Sequence, residues 1–157
     1  MIHRAPLVAL VLSLAAAACS GSDALGVSVD PQPVQGVSGD AAQQRALWDA
    51  QDVDDYRFAY HRVCFCMQRG TVQVTVRDGR VTDVRQVGSG WPVPRDAWGE
   101  FLTVDALFQE IAEAQARGEY TAATYHPTLG YPVEADVGTL ANDAGVRHIL
   151  SGLKPID

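Results

Sequence analysis

The sequence predicts an α+β domain: an antiparallel sheet of about five or six strands packed on one main helix, with a short N-terminal helix. Three observations carry that prediction. Residues 71–77 alternate strictly and are followed by Asp78-Gly79, a two-residue hairpin turn. Val104, Leu107, Phe108, Ile111 and Ala112 recur at helical spacing. A second group of apolar, β-branched runs fills residues 120–150, with only short links between them. Short links between strands imply hairpins, hence antiparallel pairing.

Taken in order, Asp40-Ala41-Ala42-Gln43 reads as an N-cap with a capping-box partner and opens a helix through about residue 50. Its apolar face is thin, chiefly Leu47 and Trp48, which places it at the domain edge. Residues 56–63, rich in aromatic and β-branched side chains, form the first strand. In residues 71–77 Val72, Val74 and Val76 share one face. The return strand, 81–87, carries Val81 and Val84 at opposite parity, which predicts a bulge near Thr82 or Asp83. Residues 88–99, with Gly, Pro and the two tryptophans Trp91 and Trp98, make an ordered loop. Thr103 caps the main helix, and Arg117-Gly118 ends it with a basic residue and a C′ glycine. Strands at 120–125 and 133–137 follow, the latter with Glu134 and Asp136 facing out, joined by a turn over 126–130. A last strand, 146–150, stops before Lys154-Pro155.

The amino terminus divides differently. Arg4 is followed by a charge-free run to Ala18 that ends in small residues before Cys19. That is the length and form of a signal peptide, and it is too short to span a bilayer. The arrangement resembles a bacterial lipobox, with Ala16 where leucine is more usual. Residues 1–18 therefore read as a lipoprotein signal peptide, residues 19–39 as a lipidated Cys19 and flexible tether, and residues 40–157 as a single domain. Lipid on Cys19 would attach the protein to the membrane of the cell envelope. Ser20, and not an aspartate, follows Cys19, which favours the outer membrane in a host with two membranes.

Loss of residues 1–18 removes Arg4 and no acid, taking the formal charge from −7 to −8. So acidic a chain, with no Lys/Arg cluster, excludes nucleic acid as a partner. Exported proteins meet an oxidising environment, and once Cys19 is lipidated only Cys64 and Cys66 remain.

The combination Tyr56-x-Phe58-x-Tyr60, Cys64-Phe65-Cys66, Val74-x-Val76-x-Asp78-Gly79-x-Val81, Thr103-Val104-Asp105-x-Leu107-Phe108 and Tyr125-His126-Pro127-x-x-Gly130-Tyr131-Pro132 resembles a family of bacterial lipoproteins. That family is known only as domain of unknown function 6174. The resemblance covers roughly Trp48 to Leu150 and implies a secreted, usually lipidated single domain, with no activity, substrate or catalytic residue attached. Three departures stand out: Met67 where proline often follows the C-x-C, His126 where aspartate is common, and Asp143-Ala144 where one acid of a cluster is lost. They weaken any acidic metal or substrate site built from those positions.

Side chains of Cys64 and Cys66 share one face of an extended strand, about 6.6 Å apart at Cα, the outer limit for a disulfide. A disulfide therefore requires the chain to bend. The alternative is soft-metal or redox handling, with His61 and Met67 nearby, although strand parity directs those two to the other face. No cofactor is implied. His61, His126 and His148 are scattered, no hydrolase motif occurs, and Ser89 lies in a plain glycine loop, so nothing points to an enzyme. Asp52, Asp54 and Asp55 lack the spacing of a calcium loop and read as a solvated turn.

There remain the aromatics. Trp91 and Trp98 in one loop, with Tyr125, His126 and Tyr131 around the second hairpin, form the candidate binding surface, either presented to a partner or packed over a small core. The expected function is a lipid-anchored, non-enzymatic binding module for a protein, peptide or glycan partner.

Overall fold

The structure is a computed structural model that describes residues 34–67, 70–138 and 144–156. Cys19, the expected leader, the expected tether as far as residue 33, and Asp143 lie outside the described residues.

The chain joins the sheet within the stretch expected to be spacer: β1 (Val37–Ser38) pairs with Tyr125 and Thr124. Helix α1 (Ala41–Asp49) follows, the Asp40 carboxylate accepting from the Gln43 amide at 3.0 Å as the cap motif requires. Alternation along β2 (Tyr56–Cys64) sends Tyr56, Phe58 and Tyr60 to one face, where all are fully buried. β3 (Val72–Arg77) and β4 (Arg80–Gln86) form the expected hairpin, with Asp78 and Gly79 at φ 47° and 68°. Thr75 pairs with Asp83 and Val76 with Val81, leaving Thr82 as the extra residue of a bulge, so Val81 and Val84 both reach the core. A 3-10 helix (Arg95–Glu100) leads to α2 (Val104–Ala116), then β5 (Thr121–Tyr125), β6 (Pro132–Val137) and β7 (Val146–Pro155).

Thr103 caps α2 by accepting from the Ala106 amide, and the buried Tyr56 hydroxyl accepts from the Val104 amide at 3.0 Å. At the other end Gly118, at φ 73°, lets the Gly118 and Glu119 amides bond to Gln115 and Ala114. These are the two bonds of a Schellman cap. The buried stripe ends on Ala114 and not on Ala112, which is exposed.

All seven strands form one antiparallel sheet in the order β1-β5-β6-β7-β2-β3-β4. This corrects the expected fold class. The protein is mostly β, with three short helices of 9, 6 and 13 residues, and no main helix carries the sheet. The physical reason is width. Seven strands about 4.8 Å apart span about 29 Å, whereas a helix is only about 10 Å across. α2 packs on β5 and β6. Trp48 of α1 and Val93, Ala97 and Phe101 around the 3-10 helix join it in the single buried cluster.

The last strand also differs from expectation. β7 does not stop at Leu150 but continues to Pro155, pairing Lys154 with Arg57 and Pro155 with Tyr56. Gly152, at φ 61°, makes this possible: between Arg57 and Ala59 the register shifts, and β7 holds one residue more than β2. Proline at the strand's end is tolerated because few ladder bonds remain to be made there.

Candidate functional site

Among the described residues the helices cover one face of the sheet and none packs on the other. On that outer face the register places Thr124, Glu134, Ile149 and His61 in one row across β5, β6, β7 and β2. Ala59 and Ser151 sit in the next row, and the Thr71 hydroxyl lies 3.4 Å from His61 Nδ1. Residues 34–36 fold against this face as a wall. Gly36 is needed there because a Cβ would collide with the side chains of Thr124 and Val133. The result is a groove of about 500 Å³ with an apolar floor of Ala59, Val133 and Ile149 and a polar margin of His61, Thr71, Glu134 and Ser151. Beside it Arg147 grips Asp136 with two bonds of 2.6 and 2.8 Å and reaches Glu134 at 3.3 Å. Hydrogen bonding to Asp136 holds the Arg147 guanidinium even above its ordinary range.

Under the inner face lies a buried polar chain. The Tyr60 hydroxyl accepts from the Leu102 amide and shares a hydrogen bond of 2.5 Å with His148 Nδ1. The other ring nitrogen, Nε2, lies 3.5 Å from the Glu110 carboxylate. Burial pushes His148 down to about 4, and neighbouring Arg62 adds to the effect. Burial likewise raises the Glu110 carboxyl above its usual range. His148 is closed off from solvent.

Cys64 and Cys66 lie at disulfide distance, on a bend that shortens their Cα separation to 5.2 Å. Cys66 is exposed and Cys64 half-buried. Phe65 between them and Met67 after them are 82% and 76% exposed. Arg62 Nη1 donates to Cys66 Sγ at 3.6 Å and lies 3.8 Å from Glu100. Among the described residues no three of His, Cys, Asp and Glu gather in a geometry that could hold a metal ion.

The aromatic candidates do not come together. β4 ends beside the C-terminal end of β2, so the loop bearing Trp91 and Trp98 lies at one end of the sheet. The β5–β6 turn, bearing Tyr125, His126 and Tyr131, lies at the opposite end. Trp91 is 73% exposed. Trp98 is half-buried, its Nε1 donating to the Val93 carbonyl at 2.9 Å and its ring under the Arg95 guanidinium. Tyr125 is buried and stacked on Phe108, and Tyr131 is buried edge-on to Trp48. Tyr131 is pushed up to about 12 by that burial. The His126 ring stacks on Tyr131 while Nδ1 accepts from the Thr128 and Leu129 amides. It closes the turn as an aspartate at that position would. Of the acid run, Asp55 has a structural part: it accepts from Arg77 and from the Asp78 amide, which pins the hairpin turn, while Asp52 and Asp54 are exposed.

Neither the groove nor the His148 chain was visible to sequence reasoning. Outer-face polar residues look like ordinary solvated strand positions, and only the register aligns them. Comparison with known families shows that residues 40–155 match a family of unknown function, DUF6174, and the chain belongs to it. No curated protein and no solved structure matches the chain.

Proposed function

We propose that this DUF6174 chain is a lipid-anchored, non-enzymatic binding module of the cell envelope, and that it holds a short segment of a partner protein in the outer-face groove. Anchoring would come from lipid on Cys19, after removal of residues 1–18. The observation that carries the reading is the groove itself: a concave site with an apolar floor and a few convergent polar groups, on the sheet face that no helix covers among the described residues. Its margin offers imidazole, hydroxyl and carboxylate groups for a peptide backbone, and no aromatic platform on which a sugar would stack.

A photo-crosslinking residue placed at Thr71 or Ser151 in the full-length protein, expressed in cells, tests this against the same residue at Gln109 on the exposed side of α2. Adducts of one discrete mass from the groove positions alone support the reading. Equal labelling at Gln109, or no adduct from either groove position, overturns it. Radiolabelled fatty acid incorporated by the wild type and absent from Cys19→Ala tests the anchor separately.

A further inference from the structure

We propose that Cys64 and Cys66 form a thiol–disulfide exchange site that accepts two electrons from a protein dithiol, with Arg62 as the positioning residue that holds the Cys66 thiolate. Four observations converge on it. The pair is only two residues apart in sequence, so cross-linking removes little chain entropy and adds little to stability. Cys66 is solvent-exposed at the tip of a bend beyond the last ladder pair of β2, Cys64 with Val146. Phe65 and Met67 project on either side of Cys66 as apolar contacts within reach of an approaching protein surface. Arg62 directs a guanidinium N–H at the Cys66 sulfur, and a neighbouring cation favours thiolate over thiol.

The reaction balances with the partner's dithiol as the reductant. One partner thiolate attacks the exposed Cys66 Sγ, the Cys64–Cys66 bond breaks, and Cys64 leaves with the electron pair and takes up a proton. The partner's second thiol loses its proton and attacks its own sulfur in the mixed disulfide. That step expels Cys66 as a thiolate beside Arg62. The partner ends as a disulfide, two electrons poorer, and the chain ends with Cys64 as thiol and Cys66 as thiolate. Because a lower pKa makes a better leaving group, Arg62 acts on the second step and on the equilibrium, stabilising the reduced form. Glu100, 3.8 Å from Arg62 Nη1, and Glu110, whose carboxyl feels the same guanidinium, oppose this by sharing its charge.

The test uses the full-length chain carrying Cys19→Ser, equilibrated with reduced and oxidised glutathione and analysed by alkylation and peptide mass. The native disulfide is expected to exchange without denaturant. In the reduced protein Cys66 should alkylate before Cys64, with a pH midpoint below the ordinary thiol value of about 8.5. Arg62→Gln should raise that midpoint and make the disulfide about three- to tenfold harder to reduce, while Arg62→Lys stays near wild type. A disulfide that resists glutathione until the protein is denatured overturns the proposal, as does an Arg62→Gln variant that moves neither quantity. Should Arg62→Gln not fold, the wild-type Cys66 midpoint decides, and a value at or above about 8.5 overturns the proposal.

Discussion

Acidification should destabilise this protein through His148. The imidazole is 2% exposed and its Nδ1 is bonded to the Tyr60 hydroxyl, so a second ring proton would place a cation in a site closed to water, with Glu110, 3.5 Å from Nε2, as the facing carboxylate. Its folded-state value, about 4, lies below the 6.5 of a free histidine. The unfolded chain therefore binds more protons between those two values. Stability is full above about pH 6.5 and declines as pH falls toward 4. At 1.36 kcal/mol per unit, the 2.5-unit gap amounts to about 3 kcal/mol. That figure is a ceiling, because an ionised Glu110 would draw the imidazole back up. Urea unfolding of wild type and His148→Gln at pH 7.5, 6, 5 and 4.5 isolates the effect, since the two proteins differ in this group alone. The stability difference between the two should narrow by up to about 3 kcal/mol in favour of the variant as pH falls. An NMR titration of the wild-type His148 ring, expected to stay neutral down to pH 5, checks the same claim without a mutation. A difference that is flat with pH, together with a ring midpoint between 6 and 7, would refute the reasoning.

Tyr60→Phe leaves the Leu102 amide and His148 Nδ1 without their shared partner, and should cost about 1–3 kcal/mol in chemical denaturation. Gly130→Ala should cost more than about 2 kcal/mol: φ there is 77° and a Cβ would meet the Gln44 carbonyl at 2.5 Å. Its signature is loss of the α1 amides' hydrogen-exchange protection before that of β2 and β3. Leu107→Ala removes a fully buried side chain from the first turn of α2 and should lower stability by about 2–5 kcal/mol by thermal or urea unfolding. A double-mutant cycle on Asp136→Asn and Arg147→Gln should return a coupling of about 1 kcal/mol that shrinks in 1 M salt, as a partly exposed cross-strand pair does.

Local signals were legible wherever the chain's own periodicity or a short hydrogen-bonded motif decides the outcome. Asp40 and Thr103 cap the helices they precede, Asp78-Gly79 turns the hairpin, and the parity clash of Val81 and Val84 pointed to the bulge at Thr82. Cap, turn and bulge each depend on atoms within a few residues, or on one neighbouring strand. The fold class failed for a reason of the same kind. A strongly periodic helix announces itself, whereas a two-residue edge strand such as β1 has no period to read. Which of the aromatics are covered was not legible, because burial of Tyr125 and Tyr131 is set by partners distant in sequence, Phe108 and Trp48.

What the sequence determined by itself is the acidic charge of the chain, the family to which it belongs, and the identity and boundaries of most elements, since each follows from nearby residues. Only the tertiary structure decided that β7 enters the middle of the sheet between β6 and β2. That insertion aligns Glu134, Ile149 and His61 into one groove on the outer face and brings His148 to Tyr60, 88 residues away, on the inner face. The physical reason is that side-chain alternation tells a residue which face of a strand it occupies, while only backbone pairing across the sheet tells it who stands alongside.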